Sequence, residues 1–316
     1  MPLIASKLNL TVVLFLFQLG AACTRTSEHS TAPAPSATVE GQFISRFTTF
    51  NTALADSHSP YYEVRRQMII NDLKNLDTDL ICLQEVWDPQ DAEDIISAVK
   101  PRFPYTFYAK TWNLFKWRFG RNGLLLLSRG PLKNATYQPL DSFLVTRGVI
   151  TADVNLRREE STTIGCTHLS TTVGKFPPYL GKYDSWDAEQ AQQAQTIAAI
   201  PGISLVMGDM NSSPSVAGTD IKAFMETGYQ AFLKNGFVSP YIVNQTPTCT
   251  WCADNVVAGN EWGNLIIDHI FIQQKLQGRV VSVKRVLDEK APVNDGKTNS
   301  IIPMPLSDHF GLTLSF

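Results

Sequence analysis

Six apolar runs in this chain end in polar side chains able to hold a metal ion or a phosphate. The ends are Phe50-Asn51, Leu83-Gln84-Glu85, Cys166-Thr167-His168, Gly208-Asp209-Met210-Asn211, Ile267-Asp268-His269 and Ser307-Asp308-His309. Taken singly each is ordinary: a histidine after a strand is usually a structural hydrogen-bonder, and Asp or Asn there is usually turn chemistry. Together they carry more, because strand ends on one side of a sheet converge in space. Hydrolysis of a phosphodiester needs an activated water, neutralised phosphoryl oxygens and help for the leaving oxygen. Glu85 and Asn51 offer the hard oxygens that Mg²⁺ prefers, and Asp308 could offer another. His309 with Asp268 fits a general base whose tautomer a carboxylate fixes. His168 and Asn211 could donate to the phosphate, and Asp209 could orient the water or support a histidine. Rival chemistries lack their residues. There is no Gly-x-Ser-x-Gly elbow, no His-Glu-x-x-His, no Walker loop and no Gly-x-Gly-x-x-Gly.

The elements that must position these groups follow from periodicity. Strands are expected at 43–51, 79–84, 123–128, 149–156, 162–167, 204–207, 265–272, 280–286 and 310–316. Helices are expected at 63–76, 92–99, 188–199, the last ended by Pro201-Gly202, and 221–226. That order reads as one α/β domain with two sheets packed together and covered by helices, spanning residues 42–316.

Ahead of the domain, Lys7 precedes an apolar run from Leu8 to Leu19, followed by Gly20, Ala21, Ala22 and Cys23. This is the layout of a signal peptide, and the last residues resemble a lipobox whose cysteine is acylated. Residues 24–41 are rich in Ser, Thr, Ala and Pro and read as a flexible tether. An exported protein is the expectation, anchored at a membrane surface through an N-terminal lipid or released. Cys82 and Cys166 sit inside apolar strands and read as small buried hydrophobes. Cys249 and Cys252 read as a local disulfide. No second Cys or His pair stands at zinc spacing. The formal net charge of −2 shows no overall basic surplus of the kind that marks generic nucleic-acid binders.

In this order, the motifs resemble the endonuclease/exonuclease/phosphatase superfamily. They are Cys-Leu-Gln-Glu-Val at 82–86, Asn-Gly-Leu-Leu-Leu-Leu-Ser-Arg at 122–129, Thr-His-Leu at 167–169, Gly-Asp-Met-Asn-Ser-Ser-Pro at 208–214, Ile-Asp-His-Ile-Phe at 267–271 and Ser-Asp-His at 307–309. The resemblance implies a four-layer α/β sandwich, with two central mixed sheets flanked by helices. It also implies a phosphoester hydrolase using Mg²⁺, with Mn²⁺ or another divalent cation as the alternative. It makes Glu85 the principal metal ligand with Asn51 beside it and Asp308 a further one. His168 becomes the phosphate-contacting histidine, Asp209 and Asn211 the pair that positions water and phosphate, Asp268 the orienter of His309, and Asn122 a substrate contact.

Within the superfamily the chain resembles neutral sphingomyelinases, through Thr246-Pro-Thr, Thr250-Trp251 and Asp254-Asn255 ahead of Ile-Asp-His-Ile-Phe. Three positions differ from that pattern. Cys252 stands where an aspartate is expected, the helix after His168 carries Gln192, Gln193 and Gln195 but no arginine, and His269 replaces a tyrosine. The stretch 112–119, rich in Trp, Phe, Lys and Arg, suits a lipid interface, a nucleic-acid groove or the core alike. The alternatives are therefore a phospholipid diesterase, an exported nuclease of the deoxyribonuclease I type, and a non-catalytic binding protein on the same fold. Intact Glu85, His168, Asp209 and His309 count against the last.

Overall fold

Alternating side chains decide where each strand lies. In β2 (Leu80–Val86), Leu80 and Cys82 face one apolar cluster while Ile81 and Leu83 face another. In β8 (Ile203–Asp209), Leu205 and Met207 share the first of those clusters, while Ile203 and Val206 face a third. A period-two strand that is apolar on both faces must be covered on both faces. The computed structural model describes residues 43–55, 59–109, 121–142, 145–156, 161–172, 177–258, 262–294 and 300–316. The expected signal peptide, the tether and the aromatic stretch 112–119 lie outside the described residues.

The first six-stranded sheet runs β11 (Ser282–Val286), β14 (Gly311–Ser315), β1 (Arg46–Leu54), β2, β4 (Leu125–Ser128), β3 (Tyr105–Tyr108). The second runs β5 (Lys133–Pro139), β6 (Gly148–Asn155), β7 (Ser161–His168), β8, β10 (Asp268–Gln273), β9 (Phe237–Val238). Both are mixed: β1–β2 and β7–β8 are parallel, and the other pairs are antiparallel. Phe47, Leu126, Ile150, Ile270 and Leu312 join the core between the sheets. Helices α1 (Tyr62–Asn75) and α2 (Pro89–Val99) cover the outer face of the first sheet through Ile69, Leu73 and Ile95. Helices α3 (Trp186–Ala198) and α4 (Glu226–Lys234) cover the second through Ala194, Ile197 and Phe232. This is the four-layer α/β sandwich expected. Each fully buried aliphatic or aromatic side chain contributes about 1.5–3 kcal/mol before ordering entropy is counted. Two helices start at side-chain caps: Asp88 accepts from the Gln90 amide and Ser185 from the Ala188 amide.

Four expectations are corrected. The helix expected at 221–226 is absent. There Phe224 exchanges backbone hydrogen bonds with Ser213, Ile221 bridges Asn264, and the helix begins only at Glu226. The strand expected from Leu265 enters its sheet only at Asp268, because Leu265 pairs instead with Trp251. The polar, half-exposed edge strand β5 and the proline-bearing pair β12 (Lys290–Asn294) and β13 (Ile301–Pro305) lack a core signature and were not expected. Finally, Cys82 and Cys166 are not free. They form a disulfide with Cα atoms 5.5 Å apart, which joins β2 to β7 across the central core. Cys249 and Cys252 are bonded as expected.

Replacing Cys82 and Cys166 together by alanine is expected to lower the unfolding free energy by about 2–4 kcal/mol in a denaturant titration. Peptide mapping of unreduced protein should recover the two cysteines as one linked pair. Alkylation of both thiols in denatured, unreduced protein would contradict the inter-sheet bond.

Candidate active site

Strand register brings the polar ends together. In the second sheet His168 pairs with Asp209 on one side and Gly148 on the other, and Asp209 pairs with Asp268. One row across β6, β7, β8 and β10 therefore presents Arg147 (one residue before the row), His168, Asp209 and Asp268. In the first sheet Asn51 pairs with Gln84, so Glu85 comes next. Glu85, at the register shift between β1 and β2, has φ 60°, and Asn211, two residues past β8, has φ 48°; both are left-handed conformations. Gly208 admits no side chain, since a Cβ there would lie 1.9 Å from the Thr167 carbonyl oxygen. That contact is the close approach of β7 and β8 beside His168 and Asp209.

The groups meet at bonding distance. His309 Nδ1 lies 2.9 Å from Asp268 Oδ2, so Nδ1 carries a proton and Nε2 faces the cleft. That Nε2 is 3.7 Å from Asp209 Oδ2 and 3.9 Å from Asp308 Oδ1. His168 Nε2 approaches Asp209 Oδ2 to 3.3 Å and Glu85 Oε1 to 4.0 Å. The Asn51 amide donates to Asp209 (2.9 Å) and Glu85 (3.3 Å), and the Asn211 backbone N–H donates to Asp209 Oδ1 (2.8 Å). Burial pushes His309 towards neutrality, but Asp268, Asp209 and Asp308 together outweigh it and raise its pKa well above the ordinary value. Burial also pushes the Asp209 carboxyl up, yet the neighbouring His168 and His309 hold it below the usual carboxylate range. Burial, then the charge of Arg147, lowers the pKa of His168.

Three supports fix this geometry. The buried Arg65 guanidinium donates to the carbonyls of Pro60, Thr52, Ala53 and Leu306. It thereby ties the segment after Asn51 to the one before Asp308. Thr250 Oγ accepts from the Ile267 and Asp268 amides, and the Trp251 ring packs edge-on against His309 with centroids 5.1 Å apart. Two α3 glutamines, Gln190 and Gln193, point inward, while Gln192 and Gln195 are exposed. Gln190 donates to the carbonyls of Ser170 and Asn211, and Gln193 holds Ser170 and the Asp141 carbonyl.

The cleft encloses about 260 Å³, and its walls include Glu85, Arg147, His168, Asp209, Asn211, Asp308 and His309. Two expected contacts do not line it. Asn122 is buried, with its amide spent on the Ala109 carbonyl and the Leu124 N–H, so it shapes the turn into β4. Asn51 faces Glu85 and Asp209, and its Oδ1 accepts from Ala53. Arg147 was not anticipated. It is 5% exposed, and its guanidinium has no hydrogen-bond partner among the described residues, with Nη1 wholly buried. An unpaired buried cation is costly, and this one lines a cleft beside carboxylates. Helix α3 carries no arginine, and the arginine of this cleft comes from the residue before β6. Because β6 is antiparallel to β7, the residue entering β6 lies at the same edge as the last residue of β7.

A divalent cation suits the donor set. Glu85 and Asp308 are the carboxylates with side chains partly open to the cleft, 25% and 23% exposed, whereas Asp209 and Asp268 are committed to buried hydrogen bonds. Ligand atoms of Asp209, Asp268 and His309 also lie within 4.8 Å of one another. A cation held there would have to displace the bond between His309 and Asp268. The open oxygens of Glu85 and Asp308 fit a hard cation without that loss.

A family model described as endonuclease/exonuclease/phosphatase family matches residues 48–309. The chain belongs to this family, and its class is that of phosphoric diester hydrolases. Similar solved structures include sphingomyelinase C from Streptomyces griseocarneus (TM-score 0.64, 17% identity, 86% of this chain and 99% of that one). A magnesium-bound beta toxin mutant from Staphylococcus aureus (0.62, 16%, 86% and 99%) and a 3'-5' exonuclease from Neisseria meningitidis (0.59, 17%, 86% and 99%) share the fold. In sequence, the chain is 28% identical over 156 residues to sphingomyelin phosphodiesterase 5 of Danio rerio. That match covers 42% of this chain and only 28% of the relative's length.

His269, next to Asp268, serves the scaffold. Its Nε2 lies 2.9 Å from the Ser212 carbonyl, its Nδ1 lies 3.3 Å from Ser239 Oγ, and its ring stacks on Phe271. A carbonyl only accepts, so Nε2 bears the proton of a neutral ring. Burial lowers its pKa to about 4. The unfolded chain therefore binds this proton first as pH falls, and stability drops as pH falls from about 6.5 towards 4. The loss from this residue reaches about 3 kcal/mol near pH 4. In His269→Phe, urea titrations across that window should show a correspondingly shallower pH dependence. An unchanged slope would show that His269 is not buried as the neutral ring.

Proposed function

We propose that this protein hydrolyses a sphingomyelin-type phospholipid to ceramide and phosphocholine with the help of Mg²⁺. One observation carries the reading: a single cleft holds the open carboxylates Glu85 and Asp308, a place for a cation, and the Arg147 guanidinium, which has no hydrogen-bond partner among the described residues, a place for an anion. Between them stand two histidines held by buried carboxylates. The lipid reading is supported by the Thr250-Trp251 segment and by similarity to proteins named as sphingomyelin-cleaving.

In this reading Glu85 and Asp308 hold the divalent cation, which supplies charge neutralisation at the phosphoryl oxygens. Arg147 binds a non-bridging phosphate oxygen, exchanging an unpaired buried charge for a charge-assisted hydrogen bond. His168 and the Asn211 amide steer the phosphate, and Asp209 orients the attacking water. His309 moves the proton at Nε2 while Asp268 holds Nδ1. Asp308 is one of three carboxylates that strengthen the grip of His309 on that proton. A cation held by Glu85 and Asp308 would take up part of the Asp308 charge, and Nε2 is the ring nitrogen placed to accept the proton.

Export accompanies this reading. The N-terminal apolar segment and two disulfides, one of them buried in the core, support an oxidising compartment, with a lipid on Cys23 as one route to a membrane surface.

The test offers purified protein sphingomyelin vesicles and plasmid DNA in parallel, with Mg²⁺ or EDTA. We expect Mg²⁺-dependent ceramide release, lost in EDTA and in His309→Ala. DNA nicking without lipid turnover defeats the substrate assignment, and full activity in EDTA defeats the metal role. For Arg147→Met, loss of a transition-state donor predicts a fall in kcat/KM of about 10²-fold, partly restored in Arg147→Lys. A change of less than threefold would remove Arg147 from the phosphate site.

A further inference from the structure

The cleft has two unlike sets of lining residues. Besides the ionisable groups it is walled by Phe224, Trp251, Trp262, Leu265 and Ile267, with Trp251 edge-on against His309. Phe224 and Trp262 meet edge to face, with centroids 4.7 Å apart and planes at 88°, so they form a corner rather than a flat platform. Trp262 is 41% exposed, an unusual position for so large an apolar ring. The backbone that carries the catalytic groups also holds this wall. Phe224 exchanges two hydrogen bonds with Ser213, two residues beyond Asn211, and Trp251 bridges both Leu265 and His309. The wall is therefore fixed relative to the phosphate position.

We propose that the aromatic corner of Phe224 and Trp262, closed by Trp251, is a subsite for the quaternary ammonium group of the substrate. This rests on the phosphodiesterase reading of the same cleft. Three features single out that chemistry. Phe224, Trp251 and Trp262 offer π faces and Leu265 and Ile267 aliphatic surface; none of the five has a hydrogen-bonding group other than indole N–H, and the Trp251 N–H is itself buried. A methyl-covered cation neither donates nor accepts hydrogen bonds, so it loses nothing there and gains cation–π attraction. A primary ammonium would leave its three donors unsatisfied. A nucleobase would need one open ring face to stack on and partners for its polar edge, whereas two perpendicular rings enclose a compact, rounded group.

The experiment compares sphingomyelin with ceramide phosphoethanolamine, which differs in its headgroup by having a primary ammonium, in vesicles of equal surface density. The wild-type protein should favour the choline lipid in kcat/KM by about tenfold or more. Trp262→Ala should bring the ratio close to one, and Trp262→Phe should restore most of it. A second measurement uses the wild-type protein alone: phosphocholine should inhibit hydrolysis of bis(p-nitrophenyl) phosphate at least tenfold more strongly than phosphoethanolamine. Equal turnover of both lipids, or equal inhibition by both headgroups, overturns the subsite while leaving the lipid phosphodiesterase reading intact. An unchanged ratio in a folded Trp262→Ala protein overturns the assignment to this corner. Turnover of neither lipid, with DNA cleaved, overturns the functional reading and the subsite with it.

Discussion

The site exists only while two sheets hold a fixed offset face to face. Asn51 and Glu85 belong to one sheet, and His168, Asp209 and Asp268 belong to the other. Among the described residues no extended ladder joins the sheets, only the isolated bridge of Ile44 to the end of β6. What else crosses includes an apolar core, the hydrogen bond from Asn51 to Asp209, and the Cys82–Cys166 bond. The disulfide lies three residues before Glu85 on one strand and two before His168 on the other. A slide of one ångström between the layers would barely alter burial, which is non-directional. It would break the Asn51 bond and separate Glu85 from His168. The directional links do the aligning that the hydrophobic effect cannot.

Charge is arranged by the same economy. Four carboxylates converge, yet only two keep side chains open to the cleft. Asp209 is held by an asparagine, a backbone amide and two histidines, and Asp268 is held through Oδ2 by His309. The buried pair behaves as a fixed part of the frame, and the open pair remains available to a ligand. Arg147 is the opposite case, a buried cation without a hydrogen-bond partner among the described residues.

Much of this was legible in the sequence, for a physical reason. A strand buried on both faces announces itself as an apolar run, and a polar residue at its end must lie at the sheet edge. Glu85, His168 and Asp209 were readable that way, whereas Asp268 opens β10 and His309 precedes β14, and both were readable through their Asp-His pairs. Arg147 precedes β6 with no such paired motif, and a lone charge before an apolar run looks like solvent-facing punctuation. Cys82 and Cys166 escaped because a disulfide depends on which strands face each other, information that sequence order does not carry. The segment 221–226 has helical spacing, but Phe224 is drawn into pairing with Ser213, a tertiary contact outweighing a local preference. Asn122 belongs to a recognisable motif, yet its amide is consumed in making the turn.

Arg65 has a further consequence. Its guanidinium reaches four carbonyl oxygens, and every residue type carries a carbonyl. Positions 52, 53, 60 and 306 are therefore held by their backbone and remain free to vary in side-chain chemistry, within what packing allows. The whole demand for chemical identity falls on one residue. Lysine cannot meet it, since a single ammonium lacks the planar spread of donors needed to span those segments. This corner of the active site should tolerate drift at its acceptors and almost none at its donor, so that two catalytic segments share one point of genetic vulnerability.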